Sequence, residues 1–241
     1  MKRARARCER LAVVLLCGRP QVITEQMGDM DALLVGFLPG SEGAGAAVAE
    51  ATGRALKKVV LELGGSDPFI VMPSADIAKA AEVAVTARLQ NAGQSCICAK
   101  RMIVHADVYD DFLERFSAGM KAATVGDPME AGTVVGPLSS EGQRDEVVDQ
   151  MARMTKAGGT LLFGGRALDK PGAWLSPGVL VDVPVDDPIA QEEIFGPVAM
   201  VFKVADIDAA IAETEAGPPG AIVHLQQIAE RAGLNRTVIY R

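Results

Sequence analysis

This chain has few aromatic residues, few cysteines and no excess of basic charge, and each of these features excludes a class of protein. Aromatic residues make up 4% of the 241 residues, unlike a β-sandwich rich in tyrosine and tryptophan. The chain has 24 basic and 31 acidic residues, for a net charge of −7, which argues against a surface that mostly binds nucleic acid. What remains, 25 glycines and 49% hydrophobic residues, is typical of a tightly packed α/β enzyme.

The four cysteines, Cys8, Cys17, Cys96 and Cys98, are too few and too irregularly spaced for a disulfide-stapled secreted domain. They also do not form the paired CxxC motifs of a structural zinc site. We therefore expect a reducing compartment, namely the cytoplasm, and no metal site.

Long apolar runs are absent as well, since no run approaches the roughly 18 residues that a membrane helix needs. The N-terminus does imitate an export signal, with a basic start followed by the short apolar run from Leu11 to Leu16. No cleavage site of small residues follows, and Leu16 stands where a small residue should precede a lipid-anchor cysteine. We expect a soluble chain without a membrane partner, with a signal peptide as the alternative.

Short β-rich runs alternate with longer helical patterns from about residue 56 to residue 215. This alternation predicts a layered α/β domain, and helices between strands favour parallel pairing. The predicted strands are Lys58–Leu63, Pro68–Met72, Arg101–His105, Thr160–Phe163 and Val198–Val204.

Three helices are predicted between these strands. Asp76 caps the first, which carries a narrow stripe of alanines, and Asp107 precedes the second. The third opens at Ser139 or Ser140 and ends at the glycine pair 158–159. The cluster of glycine and proline at 217–220 then separates the last 20 or so residues from this pattern.

The segment Asn91–Cys96, NAGQSC, carries the strongest chemical signal, together with Glu62 upstream in LELGG. A thiolate beside glycine-rich backbone can attack a carbonyl if backbone N–H groups meet the alkoxide that forms. A carboxylate reaching the same pocket could then activate water to cleave the thioester. Taken alone, a loop cysteine is also readily explained as a small buried hydrophobic residue.

Five motifs taken together resemble the aldehyde dehydrogenase superfamily in their order and spacing. They are LELGG, NAGQSCICAKR, GDP at 126–128, GPL at 136–138 and EEIFGPV at 192–198. LELGGSDPFIV, with Ser66 where many members carry lysine, is most similar to the succinate-semialdehyde dehydrogenase branch. The resemblance runs from about Gly40 to Glu213.

The resemblance implies a fold and a division into domains. We expect an α/β fold with the parallel-sheet catalytic domain of the family, preceded by a remnant of its Rossmann-like cofactor domain. The implied boundaries are 1–61 for the partial cofactor-binding domain, 62–215 for the catalytic domain and 216–241 for an unrelated tail.

The resemblance also implies a reaction, the oxidation of an aldehyde, most specifically succinate semialdehyde, to its carboxylate. Cys96 matches the family's nucleophile and Glu62 its general base. Cys98 could trap Cys96 in a strained, reducible disulfide, or it could be a small packed side chain.

The implied cofactor is NAD or NADP, and five residues match positions that bind it. Glu193 aligns with the carboxylate that holds the nicotinamide ribose, and Phe195 with the ring that lies against the nicotinamide. Gly40, Ser41 and Gly45 resemble the GSxxxG turn that opens a helix beneath the pyrophosphate. The proline before this turn, Pro39, removes a ladder donor and counts against the strand that relatives have there.

Several parts of full-length relatives have no motif-level counterpart in this sequence. We find none before Gly40 for the oxyanion asparagine or the lysine that meets the adenine ribose, and none after Glu215 for the segment that pairs subunits. We therefore expect a chain truncated at both ends, with little dehydrogenase activity by itself and without the pairing segment of a usually homo-oligomeric family. The alternative is an inactive remnant or a fusion product.

The last segment, HLQQIAERAGLNRTVIYR, resembles the helix-turn-helix of tetracycline-repressor-type regulators. Its recognition helix is incomplete, and Arg231, Arg236 and Arg241 supply few phosphate contacts. We therefore favour an incidental amphipathic helix and do not expect nucleic acid as a partner.

Overall fold

The structure is a computed structural model that describes residues 35–39, 42–54, 56, 58–62 and 64–215. Predictions that concern Gly40, Ser41, the run 11–16 and the tail 216–241 lie outside the described residues. The chain divides into two compact units between Gly64 and Gly65; the domain boundary after residue 61, which the family resemblance implies, stays a prediction.

The described residues of the first unit form two parallel strands and the helix that connects them. Strand β1 (Val35–Pro39) pairs with β2 (Lys58–Glu62), and helix α1 (Glu42–Arg54) lies between them in the chain. The expectation that Pro39 disfavours β1 was wrong: the proline is the last residue of the strand, where a missing N–H interrupts no later pairing.

The described residues of the second unit form five strands, four α-helices and three 3-10 turns, and the strands make one open sheet with the order β3-β4-β7-β6-β5. Its strands are β3 (Asp67–Val71), β4 (Ala99–His105), β5 (Thr160–Phe163), β6 (Gly178–Val181) and β7 (Val198–Val204). Its α-helices are α2 (Ile77–Leu89), α3 (Tyr109–Ala122), α4 (Glu141–Lys156) and α5 (Ile207–Glu215). The 3-10 turns span Gln90–Gly93, Ala106–Val108 and Pro188–Gln191.

Strand pairing in the second unit is parallel except between β5 and β6, which are antiparallel. The prediction of a mostly parallel sheet is therefore confirmed. The exception follows from the connection: no helix crosses between β5 and β6, and a long hairpin with an extra bridge from Ala167 to Leu175 joins them.

The helices begin and end where local chemistry requires. The Asp76 side chain accepts from the Lys79 N–H at 3.1 Å, and the Ser140 side chain accepts from the Gln143 N–H at 3.1 Å. Ser140, rather than Ser139, is thus the N-cap of α4. Gly119 lets α3 approach α2 closely, since a Cβ at Gly119 would lie 2.8 Å from a methyl of Val85.

The core lies on both faces of the sheet because alternate residues of each strand point in opposite directions. On β3, Phe69 and Val71 pack with the apolar residues of α2, α3 and α4, whereas Ile70 packs with Ala210 of α5. The candidate site lies in the segments that precede β4 and β7 and at the beginning of β4.

Candidate active site

Cys96 lies in a tight turn between the 3-10 turn at Gln90–Gly93 and strand β4. The Cys98 N–H closes this turn by donating to the Ser95 carbonyl at 3.1 Å. Cys96 is exposed, while Cys98 is fully buried and its thiol donates to the Gln90 carbonyl at 3.4 Å. Of the two thiols, Cys96 is therefore the one that an incoming molecule can reach.

Three successive residues before the turn adopt left-handed backbone angles: Asn91 with φ 52°, Ala92 with φ 54° and Gly93 with φ 74°. This conformation is costly for alanine and asparagine, and such residues concentrate at functional sites. The Asn91 side chain supports it by donating from Nδ2 to the Gln94 carbonyl at 2.9 Å. The strained run bends the chain sharply just before Cys96.

A second loop, residues 192–198, packs directly against this bend. A Cβ at Gly93 would overlap the Gly196 carbonyl and lie 2.9 Å from the Pro197 nitrogen. Glycine at position 93 is therefore required both by its backbone angle and by the contact.

Arg88 of α2 fixes the second loop from inside the protein. Its guanidinium donates to the Ile194 and Val198 carbonyls at 2.7 Å each, and also to the Gly196 carbonyl. The side chain is fully buried, and desolvation lowers its pKa to about 10, so it remains a cation at neutral pH.

The beginning of α4 connects the two loops. The Gln94 Oε1 accepts from the Ser139 N–H at 2.8 Å, and the Gln143 Nε2 donates to the Phe195 carbonyl at 3.3 Å. The backbone of Phe195, whose ring is partly exposed, is thus held in place from the same helix terminus that holds the Cys96 segment.

Lys100 of β4 links Glu193 to the Cys96 turn. Lys100 Nζ lies 2.9 Å from Glu193 Oε1 and donates to the Ser95 and Cys96 carbonyls at 2.8 and 2.9 Å. The Lys100 side chain is 0% exposed and that of Glu193 is 22% exposed. Burial lowers the pKa of Lys100, and Glu193 partly offsets that effect.

The preceding glutamate has a different environment. Glu192 forms a bidentate ion pair with Arg153, at 2.5 and 2.8 Å, and accepts from Gln150 Nε2 at 3.1 Å. The hydrogen bond from Arg153 holds the pKa of Glu192 below its usual value. Of the two glutamates, Glu192 anchors the loop to α4 and Glu193 is the one beside the Cys96 turn.

Two further candidate residues belong to the first unit. Glu62 is the last residue of β2 in the first unit, and Gly45 is buried within α1 of that unit. Within the second unit, Gly65 of the LELGG motif is near the nucleophile segment, because a Cβ at Gly65 would lie 3.6 Å from the Cys96 carbonyl oxygen. The structure therefore brings Cys96, Glu193 and Phe195 together, while the roles of all the candidate residues stay predictions.

Lys100 and Arg88 were missed by the motif analysis. A signal existed for both: Lys100 and Arg101 interrupt the otherwise apolar strand β4, and Arg88 follows a run of buried alanines. A charged residue within a buried element usually has a specific partner. Such residues are therefore candidates for fixing loops that bear functional side chains.

The described part of the chain lacks two further kinds of feature. No helix there is long and apolar enough to cross a membrane. The same residues contain no group of three or more histidine, cysteine, aspartate or glutamate side chains that could hold a metal ion.

Comparison with known proteins gives consistent results. The sequence model of the aldehyde dehydrogenase family matches residues 4–223, so the resemblance extends beyond the motif-based range of Gly40 to Glu213. The succinate-semialdehyde dehydrogenase (NADP+) of Mycobacterium avium is 55% identical over 174 residues, which are 72% of this chain and 37% of that protein. The corresponding Mycobacterium tuberculosis protein is 53% identical over 174 residues, with coverages of 72% and 38%.

Solved structures support the fold. Gox0499 superposes with a TM-score of 0.80 at 40% identity, over 89% of this chain and 49% of that chain. The Streptococcus pyogenes succinic semialdehyde dehydrogenase in complex with NADP+ gives a TM-score of 0.76 at 38% identity, over 82% of this chain and 43% of that chain. This chain thus spans less than two fifths of the two curated relatives and less than half of these solved chains.

Proposed function

We propose a function for this chain, which belongs to the aldehyde dehydrogenase family. It carries the nucleophile and part of the cofactor site of an NADP+-dependent succinate-semialdehyde dehydrogenase. The relatives' names support both the aldehyde and the cofactor. NADP+ is favoured over NAD+ for the same reason. Because the chain spans only part of those relatives, the complete activity is proposed for the whole protein.

Cys96 is proposed as the nucleophile because its side chain is exposed at the tip of a fixed turn. The thiolate sulfur would form a bond to the aldehyde carbon, and the carbonyl electron pair would move to the oxygen as an alkoxide. Nearby backbone N–H groups are the donors that such an alkoxide needs. The chemistry that NADP+ supplies when bound is acceptance of a hydride from this adduct, which leaves a thioester on Cys96.

Glu62 is proposed as the general base of the second half-reaction. Its carboxylate would take a proton from water, and the water oxygen would bond to the thioester carbon. Breaking the carbon–sulfur bond then returns the Cys96 thiolate and releases the carboxylic acid. The overall change consumes one aldehyde, one water and one oxidised cofactor.

The residues of the second unit fit a nicotinamide ribose. The Glu193 carboxylate is held beside the Cys96 turn yet remains 22% exposed, and a carboxylate can accept hydrogen bonds from two vicinal hydroxyls. Phe195, two residues along the same loop and partly exposed, would provide the aromatic wall against the nicotinamide. Gly40, Ser41 and Gly45 complete the proposed cofactor site as the turn beneath the pyrophosphate.

The observation that carries this proposal is the convergence of the Cys96 turn and Glu193 on one buried ammonium. The test is to mix purified chain with succinate semialdehyde and NADP+ or NAD+ and to follow reduced cofactor by absorbance. Because the chain spans only part of its relatives, we expect slow NADP+ reduction at most, which Cys96→Ala abolishes and Glu193→Gln weakens mainly through a higher KM for NADP+. Calorimetric titration with NADP+ separates an inactive remnant, which shows neither turnover nor binding, from an incomplete enzyme that binds.

We also propose the finer assignments that the sequence suggested. The domains are a partial cofactor-binding domain at 1–61, a catalytic domain at 62–215 and a tail at 216–241. The tail is an amphipathic helix and not a functional DNA-binding motif. The location is the cytoplasm, where Cys96 stays reduced. A gel-shift assay at low salt tests the tail, since DNA binding there would contradict the assignment.

A further inference from the structure

Three of the four carbonyl groups in the nucleophile turn point toward one cation. The turn consists of Ser95, Cys96, Ile97 and Cys98, and the Nζ atom of Lys100 lies 2.8 Å from the Ser95 oxygen and 2.9 Å from the Cys96 oxygen. The Cys98 oxygen is farther away, at 3.5 Å. Converging carbonyl oxygens repel each other unless a donor or a cation lies between them, so the ammonium stabilises this backbone shape.

The ammonium donates to two carbonyls of the turn and forms an ion pair with Glu193. A lysine ammonium has three N–H bonds, and the Ser95 oxygen, the Cys96 oxygen and Glu193 Oε1 all lie within 2.9 Å of Nζ. Two of these oxygens belong to the backbone of the turn, and the third belongs to the 192–198 loop. Lys100 is thus the single side chain that touches both segments of the candidate site through charge-assisted contacts among the described residues.

A buried lysine at position 100 destabilises the fold unless partners compensate its charge. The side chain is 0% exposed, and removing an ammonium from water costs several kcal/mol unless partners compensate. An unbranched apolar side chain of similar length would fill the same space without that cost. The charged groups around Lys100 are Asp67, Arg88, Arg101 and Glu193. Of the two carboxylates among them, Glu193 is the one in direct contact with the Lys100 ammonium.

We propose that Lys100 is a positioning residue that holds the Cys96 turn and the Glu193 carboxylate in a fixed mutual arrangement. The inference rests on the proposed function, in which Glu193 binds the nicotinamide ribose and Cys96 attacks the aldehyde. Lys100 touches neither substrate nor cofactor in this role. It sets the distance between Cys96 and Glu193, because the same nitrogen binds the backbone of the Cys96 turn and the Glu193 carboxylate.

The test compares Lys100→Met, Lys100→Arg and Arg101→Met in the full chain. Methionine keeps the length of the side chain and removes its charge, whereas arginine keeps the charge. Arg101→Met is the matched control, since Arg101 is an equally buried cation of β4 whose carbonyl partners are Ser66, Glu213 and Thr214 instead. The readouts are amide hydrogen exchange of the segment 94–98 and the alkylation rate of Cys96 by iodoacetamide, mapped by mass spectrometry.

For Lys100→Met we expect exchange of the 94–98 amides to rise roughly tenfold and the alkylation rate of Cys96 to change at least about threefold. Lys100→Arg should restore most of the protection, and Arg101→Met should leave this segment unchanged relative to the rest of the protein. Unchanged exchange in Lys100→Met, or an equal rise in Arg101→Met, would overturn the proposal.

A second variant covers the case in which Lys100→Met does not fold. Glu193→Gln keeps the size of the side chain and removes only the anion that holds Nζ from the other side, so we expect a smaller rise in exchange at the same segment. No rise there would overturn the proposal. None of these readouts requires cofactor or turnover, so the failure of this inference can be told apart from the failure of the proposed function.

Discussion

The backbone of Gly93 lies against the backbone of Gly196, and no side chain separates the Cys96 segment from the 192–198 loop at this point. Any Cβ at position 93 would overlap the Gly196 carbonyl. The φ angle of Gly93, 74°, is also one that other residues adopt only with strain. Two independent requirements thus fall on one glycine.

We predict that Gly93→Ala lowers the free energy of unfolding by about 3 kcal/mol or more, because the strained angle and the overlap both act. Urea unfolding measures the loss. Gly132→Ala is the matched control: Gly132 also has a positive φ, 91°, but a Cβ there would meet nothing within 4 Å. The control should lose only about 1–2 kcal/mol, and equal losses would contradict the contact's importance.

The different exposure of the two neighbouring cysteines leads to a second prediction. A reactive ester such as p-nitrophenyl acetate should acylate Cys96, because thiol acylation needs no dinucleotide. We expect the release of p-nitrophenol to be lost in Cys96→Ala and to persist in Cys98→Ala, since Cys98 is 0% exposed. The measurement is the absorbance of p-nitrophenol together with the mass of the acylated peptide.

If both Cys96→Ala and Cys98→Ala still release p-nitrophenol, another nucleophile carries out the acylation. Loss in both variants would show instead that Cys98 supports the turn, through its contact with the Gln90 carbonyl. A disulfide between Cys96 and Cys98 under oxidation stays a prediction, and both cysteines are free in the structure.

Much of the second unit was predictable because its signals are local. Asp76 and Ser140 are caps whose side chains accept from the backbone three residues on, and the period of apolar residues gave the helices that follow them. Strand β6, Gly178–Val181, was missed because four residues preceded by a proline carry no alternation to detect. Its place in the sheet is determined by pairing with β7 and β5, which is tertiary information.

The candidate site was predictable only where side chains carry recognisable motifs. Cys96, Glu193 and Phe195 stand in segments whose letters alone suggested a role, and the structure brings these segments together. Arg88 and Lys100 could not be assigned in this way, because their partners are backbone carbonyls. A carbonyl group is present at every residue, so the sequence does not reveal which ones a buried cation will bind.

The dependence on backbone carbonyls leads to a third prediction, for Arg88. Arg88→Lys should lower the free energy of unfolding by about 2–4 kcal/mol, because an ammonium cannot reproduce the fork that reaches Ile194, Gly196 and Val198 at once. Thermal or urea unfolding measures this. Arg115→Lys is the control, since Arg115 makes an exposed ion pair with Asp111 one turn away and should lose less than about 0.5 kcal/mol.

The ion pair between Glu192 and Arg153 predicts a pH dependence of stability. The pKa of Glu192 lies below its usual 4.5, chiefly because of the hydrogen bond from Arg153, so its contribution is complete above about pH 4.5 and is lost as the pH falls through the lowered value. Glu192→Gln should therefore cost about 0.5–1 kcal/mol near pH 6, a modest amount because both side chains are partly exposed. The difference between the variant and the parent in thermal unfolding should narrow as the pH falls below 4.5 and Glu192 becomes protonated. The exposed Glu146 of α4 offers the control Glu146→Gln, and a gap between variant and parent that does not narrow as the pH falls would show that the charge of Glu192 is not what stabilises the loop.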